Sequence, residues 1–366
     1  MPAPQLIVQF VLQLTVILIA CRAVGWLMMR LGQPKVIGEM IAGILLGPSL
    51  LGFVAPGLQT ALFPPASLGL LSTVSKIGLV LYMFVVGTHV QTNVIRQAFR
   101  SAIVISIAGI VVPFVFGAVL ATYFHRDGRF FALDVPHTLS MIYLGAAMAV
   151  TAFPVLARII QERGIGGTAL GTLALAAGAT DDAIAWCLLA VVLVSLNPEF
   201  NVAGFLGSHA VFVAFVVGVL FSDAPLTRQI SRRVEWIAST VLVPLFFAYS
   251  GFSTHLGLLL STELLMVSIG VILIASVGKG AACWAAARMT GRPNGEAMAI
   301  GALMNARGLM ELIMLNIGLE RGVITPTLFT VMVVMTLVTT LAAGPVFEWA
   351  WRGPRQVADL DGVRAH

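Results

Sequence analysis

Charge is scarce in this chain. Only 10% of its 366 residues are Asp, Glu, Lys or Arg, against 59% hydrophobic residues, and the mean hydropathy is +0.99. That shortage excludes an ordinary water-facing surface, and with it a soluble enzyme or nucleic-acid binder. Cysteine is nearly absent: Cys21, Cys187 and Cys283 each sit inside an apolar run and supply neither a disulfide framework nor a thiol metal site. The six histidines are scattered. No basic residue precedes Arg22, so a secretory leader with a charged start fits poorly. "LIAC", ending at Cys21, resembles a lipoprotein cleavage box, but its use would remove the first apolar run. No polar linker or low-complexity stretch marks off a soluble domain. No cofactor motif is present, and the reading is not an enzyme.

What fills the chain is apolar sequence in runs of about 20 residues, the helical length that crosses a hydrocarbon core of about 30 Å. Eleven such runs are expected: Leu6 to Leu31, Lys35 to Phe53, Ser67 to Val90, Ser101 to Phe124, Thr138 to Ile160, Thr168 to Leu196, Val202 to Ser222, Trp236 to Leu258, Glu263 to Ala287, Ala297 to Leu319 and Pro326 to Ala350. The fold class is an all-α polytopic membrane protein embedded in a lipid bilayer.

Basic residues alternate by side. With the N-terminus placed outside, the cytoplasmic connectors hold fourteen Lys and Arg, and the opposite set holds only Arg126, Arg129 and Arg321. This bias predicts an outside N-terminus and a cytoplasmic C-terminus, and it explains the net charge of +5 without nucleic acid. The four basic residues left over, Arg22, Lys76, Lys279 and Arg307, lie within runs.

Runs four to six start in the cytoplasm and runs nine to eleven start outside, which is inverted-repeat topology. The middle run of each triplet is interrupted, by Pro154 in "GAAMAVTAFPVLARII" and by Gly301 and Gly308 around Asn305 and Arg307 in "AIGALMNARGLMELIML". Matched interruptions point to a midplane transport site, because a broken helix offers carbonyls and dipole ends where lipid forbids exposed backbone.

Asp181 and Asp182, in "AGATDDAIAWCLLA", stand mid-run in a segment with no other charge from Thr168 to Leu196. A charge at that depth costs about 2.5–3.5 kcal/mol on insertion scales, so the pair requires compensation. Adjacent residues differ by about 100° around a helix and cannot share one partner equally. Lys279, near the middle of run nine, is the natural counter-ion for one of them, which leaves the other as a proton-exchanging carboxylate. The hydroxyl of Thr151 and the freed carbonyls could complete an oxygen site for a hard monovalent cation. A site that takes either proton or cation, and that crosses only when neutralised, is the minimum machinery of an antiporter. An intramembrane aspartyl protease fits poorly, since its two carboxylates come from different helices. A channel lined by the same charges remains the rival.

Arg307 and Glu311, spaced i, i+4, can pair with each other, or Arg307 can hold the half-helix ends. Glu39 and Lys76 can act as a gate, as lipid-facing side chains or as partners of one another. Arg22 reads as a snorkelling anchor and His209 as a packed or hydrogen-bonded residue.

"GQPKVIGEMIAGILLGPSLLG", "ATDDAIAWCLLA", "HAVF", "LVPLFFAYSG", "GKGAACW" and "MNARGLMELIMLNIGLERGVITPTLFTVMVVMTLVTT" together resemble the monovalent cation:proton antiporter-2 family, the sodium/hydrogen exchanger domain, from about Leu6 to Pro345. The resemblance implies one membrane domain over residues 1–350 followed by a cytoplasmic tail at 351–366. Core helices would occupy about 101–196 and 263–350, and scaffold helices about 6–90 and 202–258. It also implies Asp182 as the ion and proton site, Asp181 salt-bridged to Lys279, Thr151 and Pro154 at a first helix crossing, and Asn305 with Arg307 at a second. Expected partners are monovalent cations, protons and a second copy of the chain, in a bacterial inner membrane. The Asp–Asp–Lys pattern resembles the family's electrogenic branch. One departure stands out: "SLNPEFNVAGFLGSHAVF" joins the aspartate run to the next within a dozen residues, where the family has two further helices. That shortening leaves a transport-impaired member as an alternative.

Overall fold

The computed structural model describes residues 3–88, 99–166, 168–195, 210–221 and 224–351. The short join after the aspartate run, His209 and nearly all of the C-terminal tail lie outside these residues. Among the described residues the chain is helical, with no strand and one isolated antiparallel bridge, Phe131 to Ile324. Eight helical runs among the described residues are long and apolar enough to cross a membrane.

Helix α1 covers Ala3–Arg30 and α2 covers Lys35–Leu46. Pro34 precedes α2, and Gly47 and Pro48 end it, so the second apolar run is not one unbroken helix to Phe53. A single turn, α3 (Leu51–Val54), and the short α4 (Pro56–Leu62) lead into α5 (Pro65–Thr88). Then come α6 (Phe99–His125), α7 (His137–Ala149), α8 (Phe153–Glu162) and α9 (Ala169–Ser195). Next are α10 (Ala210–Leu220), α11 (Pro225–Ile237) and α12 (Val243–Phe252). A π-helical turn over Ala238–Leu242 joins α11 to α12 just before Pro244, which cannot donate to the preceding turn. The helix here therefore begins well before Trp236 and stops short of Leu258. Last are α13 (Thr262–Met289), α14 (Asn294–Leu303), α15 (Leu309–Glu320) and α16 (Pro326–Ala350).

The order of long helix, broken pair, long helix thus occurs twice, as α6 to α9 and as α13 to α16. The two sets run in opposite senses. Arg129, just past the end of α6, pairs at 2.6 Å with Glu263 at the start of α13, so one set begins where the other's first helix ends. Arg129 also bonds Asp127 at 2.6 Å and holds its carboxyl below the usual carboxylate range. The Phe131–Ile324 bridge fastens the same end, where Thr325 N–H donates to Phe130 O at 3.0 Å.

Helices α1, α2, α5, α10, α11 and α12 pack on one another, and α6 to α9 pack with α13 to α16. Lipid is as apolar as a side chain, so helices in it associate through close packing, and small residues permit the closest approach. Glycine supplies that approach here. A Cβ on Gly38 of α2 would lie 2.5 Å from the Gly25 Cα of α1, and one on Gly117 of α6 would lie 2.8 Å from the Gly145 Cα of α7. Gly43 of α2 meets the Ala248 backbone of α12, where an added Cβ would lie 2.6 Å from the Ala248 Cα.

Replacing Gly43 with Leu is expected to destabilise the protein by at least ~1–3 kcal/mol through overpacking. A lowered melting temperature in detergent, read by size-exclusion, checks this; an unchanged one contradicts the glycine contact.

Candidate functional site

The site is built where two helices break. Helix α7 ends at Ala149; Val150 is extended (φ −68°, ψ 139°), and the chain resumes as α8 with Pro154 at its second position, where a missing N–H costs nothing. In the second set α14 ends at Leu303 and α15 begins after Gly308, whose φ of 156° and ψ of −107° suit glycine alone. The two interruptions cross and hydrogen-bond. Thr151 Oγ1 donates to Met304 O at 3.1 Å and Ala152 N–H donates to Ala306 O at 3.0 Å. Thr340 of α16 pins the second break from behind, accepting from Arg307 N–H at 2.9 Å and donating to Arg307 O at 3.0 Å.

A helix that stops in the membrane leaves its last carbonyls without partners, and they form the negative end of its dipole. Two buried cations meet that end of α7. The Arg307 guanidinium donates to Met148 O at 2.8 Å and to Ala147 O and Val150 O, both at 3.5 Å, and Lys279 donates to Ala149 O. Arg307 also lies 3.7 Å from Glu311. Both sequence readings of Arg307 therefore hold together: it pairs with Glu311 and it holds the half-helix end.

Lys279 is fully buried and 3.1 Å from Asp181 Oδ2, and Ser106 of α6 approaches Asp181 Oδ1 at 3.5 Å. Asp181 thus has its counter-ion. Asp182, one residue on, points elsewhere. It is only 3% exposed, with the Trp186 indole and the Phe153 backbone N–H beside its carboxylate. Its Oδ1 has no hydrogen-bond partner among the described residues. The adjacent carboxylates therefore differ in their surroundings, as their angular offset requires.

Not every residue singled out in the sequence converges here. Asn305 turns away, donating its amide to Ser276 O at 3.1 Å and to Gly301 O at 3.2 Å. Glu39 lies on α2, paired with Lys35 at 3.2 Å, while Lys76 pairs with Glu320 at 2.9 Å. The reading of Glu39 and Lys76 as mutual partners is therefore overturned: each has a nearer ion of its own. Ser106, Trp186 and Thr340 were missed. Trp186 carried a signal, one helical turn after Asp182; Ser106 is a lone hydroxyl whose neighbour no local pattern reveals.

With this geometry in view, the comparisons with known proteins converge. The family described as sodium/hydrogen exchanger, transmembrane, matches residues 14–205 and 200–353. The chain belongs to that family. It is 36% identical over 399 aligned positions to the Na(+)/H(+) antiporter NhaS4 of Synechocystis, covering 93% of this chain and 96% of that one. It is 32% identical to cation/H(+) antiporter 18 of Arabidopsis thaliana, covering 97% of this chain and 50% of the plant protein. It is 28% identical to the K(+)/H(+) antiporter 1 of Saccharomyces cerevisiae, with 97% and 47% covered. The chain spans about half the length of these plant and yeast relatives. The sodium proton antiporter MjNhaP1 of Methanocaldococcus jannaschii shares the fold, with a TM-score of 0.61, 14% identity and coverage of 93% of this chain and 97% of that one.

Arg307→Met is expected to cost ~3–5 kcal/mol, the scale for removing one partner of a buried ion pair. It uncovers three carbonyls as well as Glu311. A detergent melting curve within error of the parent's would contradict the capping role.

Proposed function

We propose that the chain is a secondary antiporter that exchanges a monovalent cation, Na+ or K+, for protons across a bacterial-type inner membrane, with Asp182 as the exchangeable site. One observation carries the reading: a buried carboxylate with a free oxygen stands beside a second carboxylate whose charge is already met by Lys279. An unneutralised Asp182 is too costly to move through apolar surroundings, whereas the same group carrying a proton or a cation can move. The named activities of the relatives from Synechocystis, Arabidopsis and yeast support this exchange.

The reading extends to topology and motion. Eleven spans, with the N-terminus outside and the C-terminus in the cytoplasm, satisfy the charge bias. The set α6 to α9 with α13 to α16 acts as a moving core, and α1, α2, α5 and α10 to α12 act as a scaffold that pairs with a second copy. Polar contacts across the two groups, Asn316 to Ser250 at 2.9 Å and Lys76 to Glu320, break and reform as the core shifts. Lys279 makes the cycle electrogenic, because it supplies a second protonatable charge beside the site.

A slow or inactive carrier is the second reading, favoured by a specific observation. The alignment to the Synechocystis protein runs over 399 positions, more than the 366 residues this chain has. The family match also falls into two pieces that meet at residues 200–205. Both support a loss of chain at the join after α9, in the scaffold rather than at Asp182.

Sealed proteoliposomes given Na+ or K+ are expected to show a cation-dependent internal pH change that Asp182→Asn abolishes. Lys279→Gln is expected to remove its voltage dependence. No pH change from correctly inserted protein defeats the antiport reading, and flux without proton movement favours a channel.

A further inference from the structure

A second cation-handling feature lies outside the Asp181–Asp182 site. Glu39 is only 4% exposed and sits on α2, which Gly43 of α2 and Gly251 of α12 lock against α12. It lines a cavity of about 110 Å3, room for several waters or one partly hydrated monovalent cation. One wall is Lys35, Glu39 and Tyr82 with Ser239 of the π-helical turn; the other is Val155 of α8 and Leu309 of α15.

That second wall is the outer skin of the helix crossing. A Cβ on Gly308 would lie 3.2 Å from Val155 Cγ2 and 3.7 Å from Ala152 Cβ, and Phe153, two residues before Val155, presents its N–H to Asp182. Phe153 and Val155, two residues apart on α8, thus meet the Asp182 carboxylate and the cavity respectively. The Glu39 carboxylate supplies the oxygen a hard monovalent cation takes, and Tyr82 and Ser239 bring hydroxyl-bearing side chains to the same cavity, the Ser239 hydroxyl donating to Glu235 O at 2.5 Å.

Glu39 already holds a cation: the Lys35 ammonium, 3.2 Å away on a side chain that is 26% exposed. A buried carboxylate needs a counter-charge, but a flexible ammonium at the cavity rim is one that an incoming ion can replace. Exchanging one monovalent cation for another leaves the net charge of the cavity unchanged. We infer that Glu39 is a waiting site for the transported cation on the scaffold side of the crossing, and that Lys35 is a tethered competitor that occupies it when no cation is present. This rests on the antiport reading for the ion's identity and adds to it a second, fixed station.

The test uses the full chain in proteoliposomes, with Na+ or K+ titrated on each face separately. Glu39→Gln is expected to raise the apparent KM several-fold, about five-fold, from the face the cavity serves, with the maximal rate little changed. Lys35→Gln is expected to lower it, because the competitor is gone, and Glu39→Asp is expected to restore part of the parent's value. A purely structural ion pair predicts the same direction for Glu39→Gln and Lys35→Gln, and that result overturns the inference; Lys35→Gln alone decides the sign if Glu39→Gln does not fold. Parent exchange that Asp182→Asn silences tests the antiport reading separately. A readout without transport is melting in detergent with NaCl or KCl against choline chloride. A cation-dependent shift should survive in Asp182→Asn and vanish in Asp182→Asn with Glu39→Gln. Complete loss of the shift in Asp182→Asn alone overturns the waiting site even if transport is absent.

Discussion

The structure depends on how the carbonyl end of one interrupted helix is satisfied. Helix α7 stops inside the membrane, and lipid offers nothing to its last carbonyls. Arg307 and Lys279 supply the missing donors, one from the opposite break and one from α13. The two cations are thereby committed. Arg307 answers the helix end and Glu311; Lys279 answers Ala149 and Asp181. Asp182 remains as a buried carboxylate without a fixed counter-charge among the described residues, and the proposed exchange chemistry follows from that remainder.

The same economy explains why the charged residues come from both halves. Each interruption needs the other: Thr151 and Ala152 bond the second break, Arg307 reaches back to the first, and Thr340 fixes the second from the far side. The cation at the end of α7 does not come from α7 itself, whose last turn carries no basic residue. The opposed sense of the two sets, visible in the Arg129–Glu263 pair at their shared end, brings a cation from one set to the carbonyl end of the other.

Much of this was legible in the sequence, and for physical reasons. Long apolar runs announce membrane helices, Pro154 and Gly308 mark breaks because one lacks a donor and the other takes a backbone conformation denied to other residues, and an isolated Asp pair in an apolar segment demands a counter-ion. The partner of Glu39 was harder to read. Lys35 is four residues before it and on the same face, yet Lys76 was an equally charged alternative, and only tertiary placement sends Lys76 to Glu320. Asn305 misled for a related reason: a polar residue at a break can face the ion site or the neighbouring helix, and here it caps carbonyls of α13 and α14. Ser106 could not be found at all, since its meaning lies in a contact between α6 and α9. The break in the helical run at Gly47 was available from Gly-Pro, but the apolar composition on both sides masked it.

The central claim is that a single carboxylate, Asp182, takes either a proton or the cation, and the pH dependence of apparent KM in proteoliposomes tests it most directly. Competition at one site predicts that, on the acid side of the titration, KM for Na+ or K+ rises at least about tenfold for each unit the pH falls, more steeply where the cation displaces the Lys279 proton as well, while the maximal rate at saturating cation stays level. A KM that does not change with pH, with only the maximal rate responding, would contradict a shared site.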